Sequence, residues 1–149
     1  MMAITHLELD RALTYRLHRL HKLTNLQSQR EYPSATGLSM SDGRCLGAIG
    51  AFGPLSIKDL ADMANLNKGQ ASRAAQSLVE QGLVSKQGVA EDGRGVSLSL
   101  TRKGKRTWDK TMDMIARRNH EIFGCLSQQE ERQFSALLDR LLEHAQALS

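Results

Sequence analysis

The sequence is short of the features that mark several protein classes. Its 149 residues include only two cysteines, Cys45 and Cys125. They are too few and too far apart for a disulfide scaffold, and no CxxC or Cys/His spacing points to structural zinc. Proline is scarce, at 2 residues, and no stretch is low in complexity, which argues against wholesale disorder. No apolar run approaches the roughly 20 residues of a membrane span. Residues 1–10 lack the basic–apolar–small order of a signal peptide, so the default expectation is a cytoplasmic protein with free thiols. No His/Asp/Ser or paired-carboxylate constellation falls at a useful catalytic spacing. The prediction is therefore no catalytic residue, no metal site, no cofactor and no enzyme activity.

What is present is a modest excess of positive charge, +4 overall, that is unevenly spread. Residues 1–55 carry a net +2, residues 56–106 a net +4 and residues 107–149 a net −2. Charge of this size matters for a polyanionic partner only where it is concentrated, and here it centres on the middle of the chain.

The flanks of that middle read as helices. Leu9, Leu13, Leu17, Leu20 and Leu23 recur at helical spacing with Arg11, Arg16, Arg19 and Lys22 between them, which predicts one long amphipathic helix ending near Arg30. Residues 31–37, with Pro33, Ser34 and Gly37, read as a loop. A short helix is expected from about Ser41, with Cys45, Leu46 and Ile49 on one face and Gly50, Gly53 and Pro54 as its stop. Towards the C-terminus, Thr101 stands where a helix N-cap belongs. Trp108, Met112, Ile115, Ile122 and Leu126 form an apolar stripe interrupted by Gly124. Ser127-Gln128-Gln129-Glu130 has the capping-box pattern for a last helix bearing Phe134, Leu137, Leu138, Leu141 and Leu142. The terminal helices carry more apolar surface than a lone chain of this size needs, which favours subunit association.

The middle segment holds the informative pattern. Ser56-Ile57-Lys58-Asp59 opens a helix with an apolar face of Ile57, Leu60, Ala61 and Ala64. Asn65-Leu66-Asn67 is a tight turn, and Asn67 is a good N-cap for a second helix. Ala71, Ala74, Ala75, Leu78 and Val79 form that helix's inner face, and its small residues permit a close approach. The outer face is Lys68, Gly69, Gln70, Ser72, Arg73, Gln76 and Ser77, with Gly82 as the stop. Arg can fork onto guanine O6 and N7, Gln onto adenine N6 and N7, and Ser72 with the helix N-terminus suits phosphate. Leu83-Val84-Ser85-Lys86 and the alternating Val96-Ser97-Leu98-Ser99-Leu100 then flank a Gly-rich charged tip and predict a β-hairpin. Helix, turn, helix and hairpin make a winged helix. Arg94 lies at the wing tip, where its guanidinium could enter a minor groove, and Asp92 is placed to orient it or to tie the loop.

Residues 38–106 resemble the MarR family of bacterial winged-helix regulators. The matching pieces are Arg44-Cys45-Leu46, Gly53-Pro54-Leu55-Ser56, Leu60-Ala61, Lys68-Gly69-Gln70-Ala71-Ser72-Arg73, residues 78–84, Asp92-Gly93-Arg94 and residues 98–104. The resemblance implies a mainly α fold: a winged helix-turn-helix with a small β-hairpin wing, flanked by N- and C-terminal dimerisation helices. On it, 1–149 is a single MarR-like domain, with 1–36 and 107–149 dimerising and 37–106 as the DNA-binding lobe. It further implies a homodimer on a pseudo-palindromic double-stranded operator, acting as a repressor released by a small effector such as an aromatic acid. Gly43 stands where many relatives have Trp, and Gly93 where the family's wing tip often has proline or a basic residue.

Other readings stay beside it. Tyr15, Arg16, Arg19 and Arg44 could line an effector cavity, an arginine suiting a carboxylate. His18 and His21 could share a metal in a metal-responsive regulator, but no third ligand is placed by sequence, which favours interface histidines. Cys45, beside Leu46 on an apolar face, reads as an inert buried thiol more than a redox sensor, and Cys125 falls at a helix break. Arg102, Lys103, Lys105 and Arg106 read as a solvated basic face. A winged-helix adaptor that binds protein and not DNA is the remaining alternative.

Overall fold

The structure is a computed structural model that describes residues 8–88 and 95–149. After a single 3-10 turn, Leu9–Arg11, the described elements run α1 (Leu13–Thr36), α2 (Met40–Phe52), α3 (Ile57–Met63), α4 (Lys68–Glu80), β1 (Val84–Gln87), β2 (Ser97–Leu100), α5 (Arg102–Phe123) and α6 (Gln128–Leu148). They fall into two compact units, Met1–Met114 and Ile115–Ser149, with the division inside α5. No helix among the described residues is long and apolar enough to cross a membrane.

The core of the first unit lies between α2, α3, α4 and the hairpin. Leu46, Ile49, Leu60, Leu78 and Leu98 are fully buried there, joined by Cys45, Leu83, Val84 and Val96. The hairpin is antiparallel, with Val84 opposite Leu100 and Lys86 opposite Leu98. Leu55 extends it by a third pairing: its N–H donates to the Leu98 carbonyl at 3.1 Å, and the Leu98 N–H returns a bond at 2.8 Å. This bridge fastens the segment before α3 to the wing. The alternation of Val96, Leu98 and Leu100 explains it, because Leu98 must point inward for the register to hold.

Three boundaries differ from the sequence expectation. The first helix begins at Leu13, since Ala12 is extended (φ −65°, ψ 131°) and separates it from the 3-10 turn. It also continues past Arg30 through Pro33 to Thr36. Proline's fixed φ is compatible with a helix, and what it forfeits is one hydrogen bond near the end, where few turns remain to be disturbed. Tertiary contacts hold the extra turns. Tyr32 is buried, with its ring against the backbone of Gly43 on α2, so closely that a Cβ at Gly43 would collide with it. Tyr32 thus fills the space that the small residue at position 43 leaves. Gly37 ends the helix in the left-handed region (φ 75°), its N–H donating to the Pro33 carbonyl at 2.9 Å.

The third difference is Gly50, which lies inside α2 and does not stop it. A Cβ there would strike the indole of Trp108, whose Nε1–H donates to the Gly47 carbonyl at 3.1 Å. Gly50 therefore serves the approach of α5 to α2. The helix ends instead at Gly53-Pro54.

In the second unit α6 starts at a capping box. The Ser127 hydroxyl accepts from the Glu130 N–H at 3.1 Å, and the Glu130 carboxylate accepts from the Ser127 N–H at 2.9 Å. These bonds hold the Glu130 carboxyl below its usual range. Phe123 and Phe134 meet across the turn with ring centroids 5.7 Å apart. No residue of α6 is buried, and Leu137, Leu141, Leu142 and Leu148 are all exposed.

Candidate nucleic-acid interface

The helix-turn-helix is fixed at each end by its own side chains. Ser56 Oγ accepts from the Asp59 N–H at 3.1 Å and starts α3. In the turn, Asn65 takes a left-handed conformation (φ 58°), which asparagine tolerates better than most residues. The Leu66 N–H then donates back to the Ala61 carbonyl at 3.0 Å. Asn67 Oδ1 accepts from the Gln70 N–H at 2.8 Å, and Gln70 Oε1 accepts from the Asn67 N–H at 3.1 Å, a reciprocal capping box for α4. Gly82 (φ 75°) ends the helix segment and turns the chain into the hairpin.

Small residues let α4 lie flat on the core: Ala71, Ala74, Ala75 and Leu78 are buried. The opposite side presents Lys68, Gly69, Ser72, Arg73 and Gln76 to solvent. The Arg73 guanidinium lies back over the first helical turn, with Nη1 3.4 Å from where a Cβ on Gly69 would stand. That is the direction helical side chains lean. Gln76 Nε2 donates to Glu80 Oε1 at 3.1 Å, so the one acid of the helix is held at its far end.

Two residues of the expected outer face have other occupations. Gln70 is half-buried, with its carbonyl oxygen committed to the cap, which leaves only its amide hydrogens to offer outward. Ser77 is turned towards α2, and its hydroxyl donates to Asp42 Oδ2 at 2.6 Å. Arg94 and Asp92 at the wing tip lie outside the described residues. On the hairpin side, Thr101 donates to the Gly82 carbonyl at 2.7 Å and accepts from the Gly104 N–H at 3.0 Å, so it caps α5 as its position implied. Part of the basic cluster that follows is in use. Lys103 Nζ donates to the Gln81 carbonyl at 3.2 Å, at the C-terminal end of α4 where a cation is favoured. Lys105 pairs with Asp109 at 2.7 Å and lies 4.4 Å from the Trp108 ring centroid.

The four residues expected around an effector are divided. Tyr15 and Arg19, with His18 and Lys22, line an open groove of about 270 Å³ on α1, and Arg16 is exposed beside it. Arg44 instead reaches a later part of that helix. Its Nη2 donates to Asn25 Oδ1 at 2.7 Å, and its charge acts on the Tyr32 phenol. Arg19 and Asn25 are about 9 Å apart along the axis at 1.5 Å per residue, so one chain offers two separate places. Burial pushes the Tyr32 phenol up from its usual range, and the neighbouring Arg44 charge partly opposes this.

Asn25 Nδ2 also donates to His21 Nε2 at 3.0 Å, so His21 is engaged on its own helix. No group of three metal-ligating side chains occurs among the described residues. Cys45 is fully buried, and burial, with the nearby Asp42 charge, pushes its thiol up to about 12. Cys125 is exposed.

The sequence reading missed Asp42, Asn25 and the Leu55 bridge. Asp42 had one local signal, its place three residues after the N-cap Ser39, whose Oγ accepts its N–H at 3.1 Å. Nothing in the sequence pointed from it to Ser77, 35 residues away.

A sequence model described as MarR family matches residues 36–95, which span α2, the helix-turn-helix and the first strand of the wing. The HTH-type transcriptional regulator BilQ of Clostridium symbiosum is 27% identical over 93 residues, or 62% of this chain and 65% of its own length. The chain thus spans just under two thirds of that curated relative. Among solved structures, a MarR-family transcriptional regulator from Silicibacter pomeroyi is 26% identical, with a TM-score of 0.78 over 94% of this chain and 96% of its own. Bordetella bronchiseptica BpsR, whose DNA binding is regulated by 6-hydroxynicotinic acid, shares the fold at 18% identity and a TM-score of 0.77 over 91% and 98% of the two chains. The winged-helix segment, residues 36–95, thus matches the MarR family model, and the chain is similar in fold to MarR-family structures over nearly its whole length.

Proposed function

We propose that the protein is a transcriptional regulator that binds a pseudo-palindromic DNA operator as a homodimer and is released by a small aromatic acid. The observation that carries the DNA-binding part is the outward side of α4. Lys68, Ser72, Arg73 and Gln76 stand exposed on a helix capped at its start and seated on buried alanines, with no acid before Glu80. Arg73 is the reader of guanine, Gln76 a second base contact, and Lys68, Gly69 and Ser72 phosphate contacts at the helix N-terminus. Arg94 is assigned to the flanking minor groove, and Asp92 to orienting it or tying the loop. Gln70 contributes through its amide hydrogens, and Ser77 acts from the protein side.

Dimerisation is supported by leucines that the single chain leaves bare. On α1, Leu13 is 73% exposed, with Leu17 and Leu20 on the same face; on α6, Leu142 is 61% exposed, beside Leu141. A two-fold dimer places its recognition helices in successive major grooves, with half-site centres roughly 10 bp apart. For the effector, Arg44 is a half-buried cation whose Nη2 hydrogen-bonds a neutral group, the Asn25 carbonyl, which suits a carboxylate. The arginines of α1, Arg16 and Arg19, are a second cationic surface. BpsR, with its hydroxynicotinic acid, is a fold relative that responds to a ligand of this class.

Selection of bound DNA from a random pool, with and without aromatic acids, tests the reading. It predicts an inverted repeat with half-sites roughly 10 bp apart, depleted when the effector acid is present. Recovery of unenriched DNA would defeat it.

A further inference from the structure

The recognition helix has an unusual seat. Its buried side is three alanines and one leucine, Ala71, Ala74, Ala75 and Leu78. Alanines allow a close approach but offer short knobs, so they resist rolling of the helix about its axis less than long side chains would. A roll of about 20° at a side-chain radius of about 5–6 Å carries a tip about 2 Å. That is enough to break a base hydrogen bond, whose range spans only about 0.5 Å. Long-range attraction to phosphates would hardly notice it.

One polar connection opposes such a roll from the edge of α4. The Ser77 hydroxyl donates to Asp42 Oδ2 at 2.6 Å. Gln81, one turn on, bridges the pair: its Nε2 lies 3.0 Å from Ser77 Oγ and 3.4 Å from Asp42 Oδ2. Asp42 is itself well held. Its N–H is bonded to the N-cap Ser39, and its carboxylate sits in the first turn of α2, where the helix dipole favours an anion. Ser77 lies one turn after Arg73 and next to Gln76, so the bond acts beside both proposed base readers.

We propose that Asp42, through Ser77, is a positioning residue for sequence recognition: it fixes the roll of α4 and so sets where Arg73 and Gln76 point. This rests on the DNA-binding function proposed above. A hydroxyl held at 2.6 Å on an acceptor oxygen is a short, directional bond, which makes it able to do this.

The test compares selected operator with random duplex of the same length, for wild type, Asp42→Ala, Asp42→Asn, Ser77→Ala and the Asp42→Ala/Ser77→Ala pair. Thermal unfolding is run alongside. Expected is an operator-to-random affinity ratio reduced about five-fold or more in Asp42→Ala and in Ser77→Ala, the scale of a single misdirected base reader. The double variant should lose no more than either single one, and affinity for random DNA with its salt slope should hold. Asp42→Asn, which keeps an acceptor oxygen for Ser77, should restore most of the ratio. A purely structural role would shift the unfolding temperature and leave the ratio intact, and that result overturns the proposal. So does an Asp42→Asn as impaired as Asp42→Ala. Ser77→Ala, which removes a single oxygen, decides the matter if Asp42→Ala fails to fold. If wild type itself prefers no sequence, the DNA-binding function falls and this proposal with it, whereas a preference that survives both single substitutions sinks the positioning role alone.

Discussion

Gly43 and Tyr32 decide how α1 meets α2. The ring occupies the volume that any side chain at position 43 would need. Gly43→Ala is therefore expected to destabilise the fold by about 1–3 kcal/mol, the usual cost of forcing a methyl into a packed site. Urea midpoints at constant slope would measure it. Cys45 gives a second prediction. Its thiol is raised from 9.0 to about 12, so the folded state keeps a proton that the unfolded chain releases. Stability is then fully present below pH 9 and falls as pH rises towards 12, by on the order of 1.4 kcal/mol per unit. Tyr32, raised in the same direction, adds to the fall above its unfolded value near 10. Cys45→Ala should flatten part of that slope. A native thiol assay should count Cys125 and find Cys45 only after unfolding.

At the scale of elements, caps do much of the positioning. Asn67→Ala removes the acceptor for the Gln70 N–H while leaving the backbone N–H of residue 67 for Gln70 Oε1. The expected loss is about 1 kcal/mol of stability, seen as a lower denaturant midpoint and as faster amide exchange in the first turn of α4. Glu130 behaves likewise at α6. Its carboxyl lies below the usual range, so its contribution is present above the unfolded pKa and is lost as acid protonates it. These caps were legible in the sequence because they are local: Ser56, Asn67, Thr101 and Ser127 each act within a few residues. The alternation that gives the wing strand was legible for the same reason. The last turns of α1 were not, since Pro33 reads as a stop until the contact of Tyr32 with Gly43 is known. Gly50 likewise reads as a terminator until Trp108 is seen against it. Ser77 was assigned outward because periodicity places it at the border of the polar face. Only the distant Asp42 shows which way it turns.

On the scale of the whole molecule, the two units each leave leucines exposed, on α1 in the first and α6 in the second. The proposed dimer covers them. Sedimentation at micromolar concentration should give twice the chain mass, and a monomer there would contradict the two-fold reading of DNA. Dimerisation would also double the net +4 of residues 56–106 and present it twice along the operator. Charge alone would give binding that ignores sequence and falls steeply with salt. What distinguishes a regulator is discrimination between bases, which the proposed function assigns to Arg73. The decisive measurement is the affinity of wild type and Arg73→Ala for the selected operator and for each single-base variant of one half-site. The expected result is a loss of about 1–3 kcal/mol for Arg73→Ala on the operator, with preference relaxed at one guanine and kept at the others. Unchanged operator affinity, or an equal loss on every sequence, would contradict it.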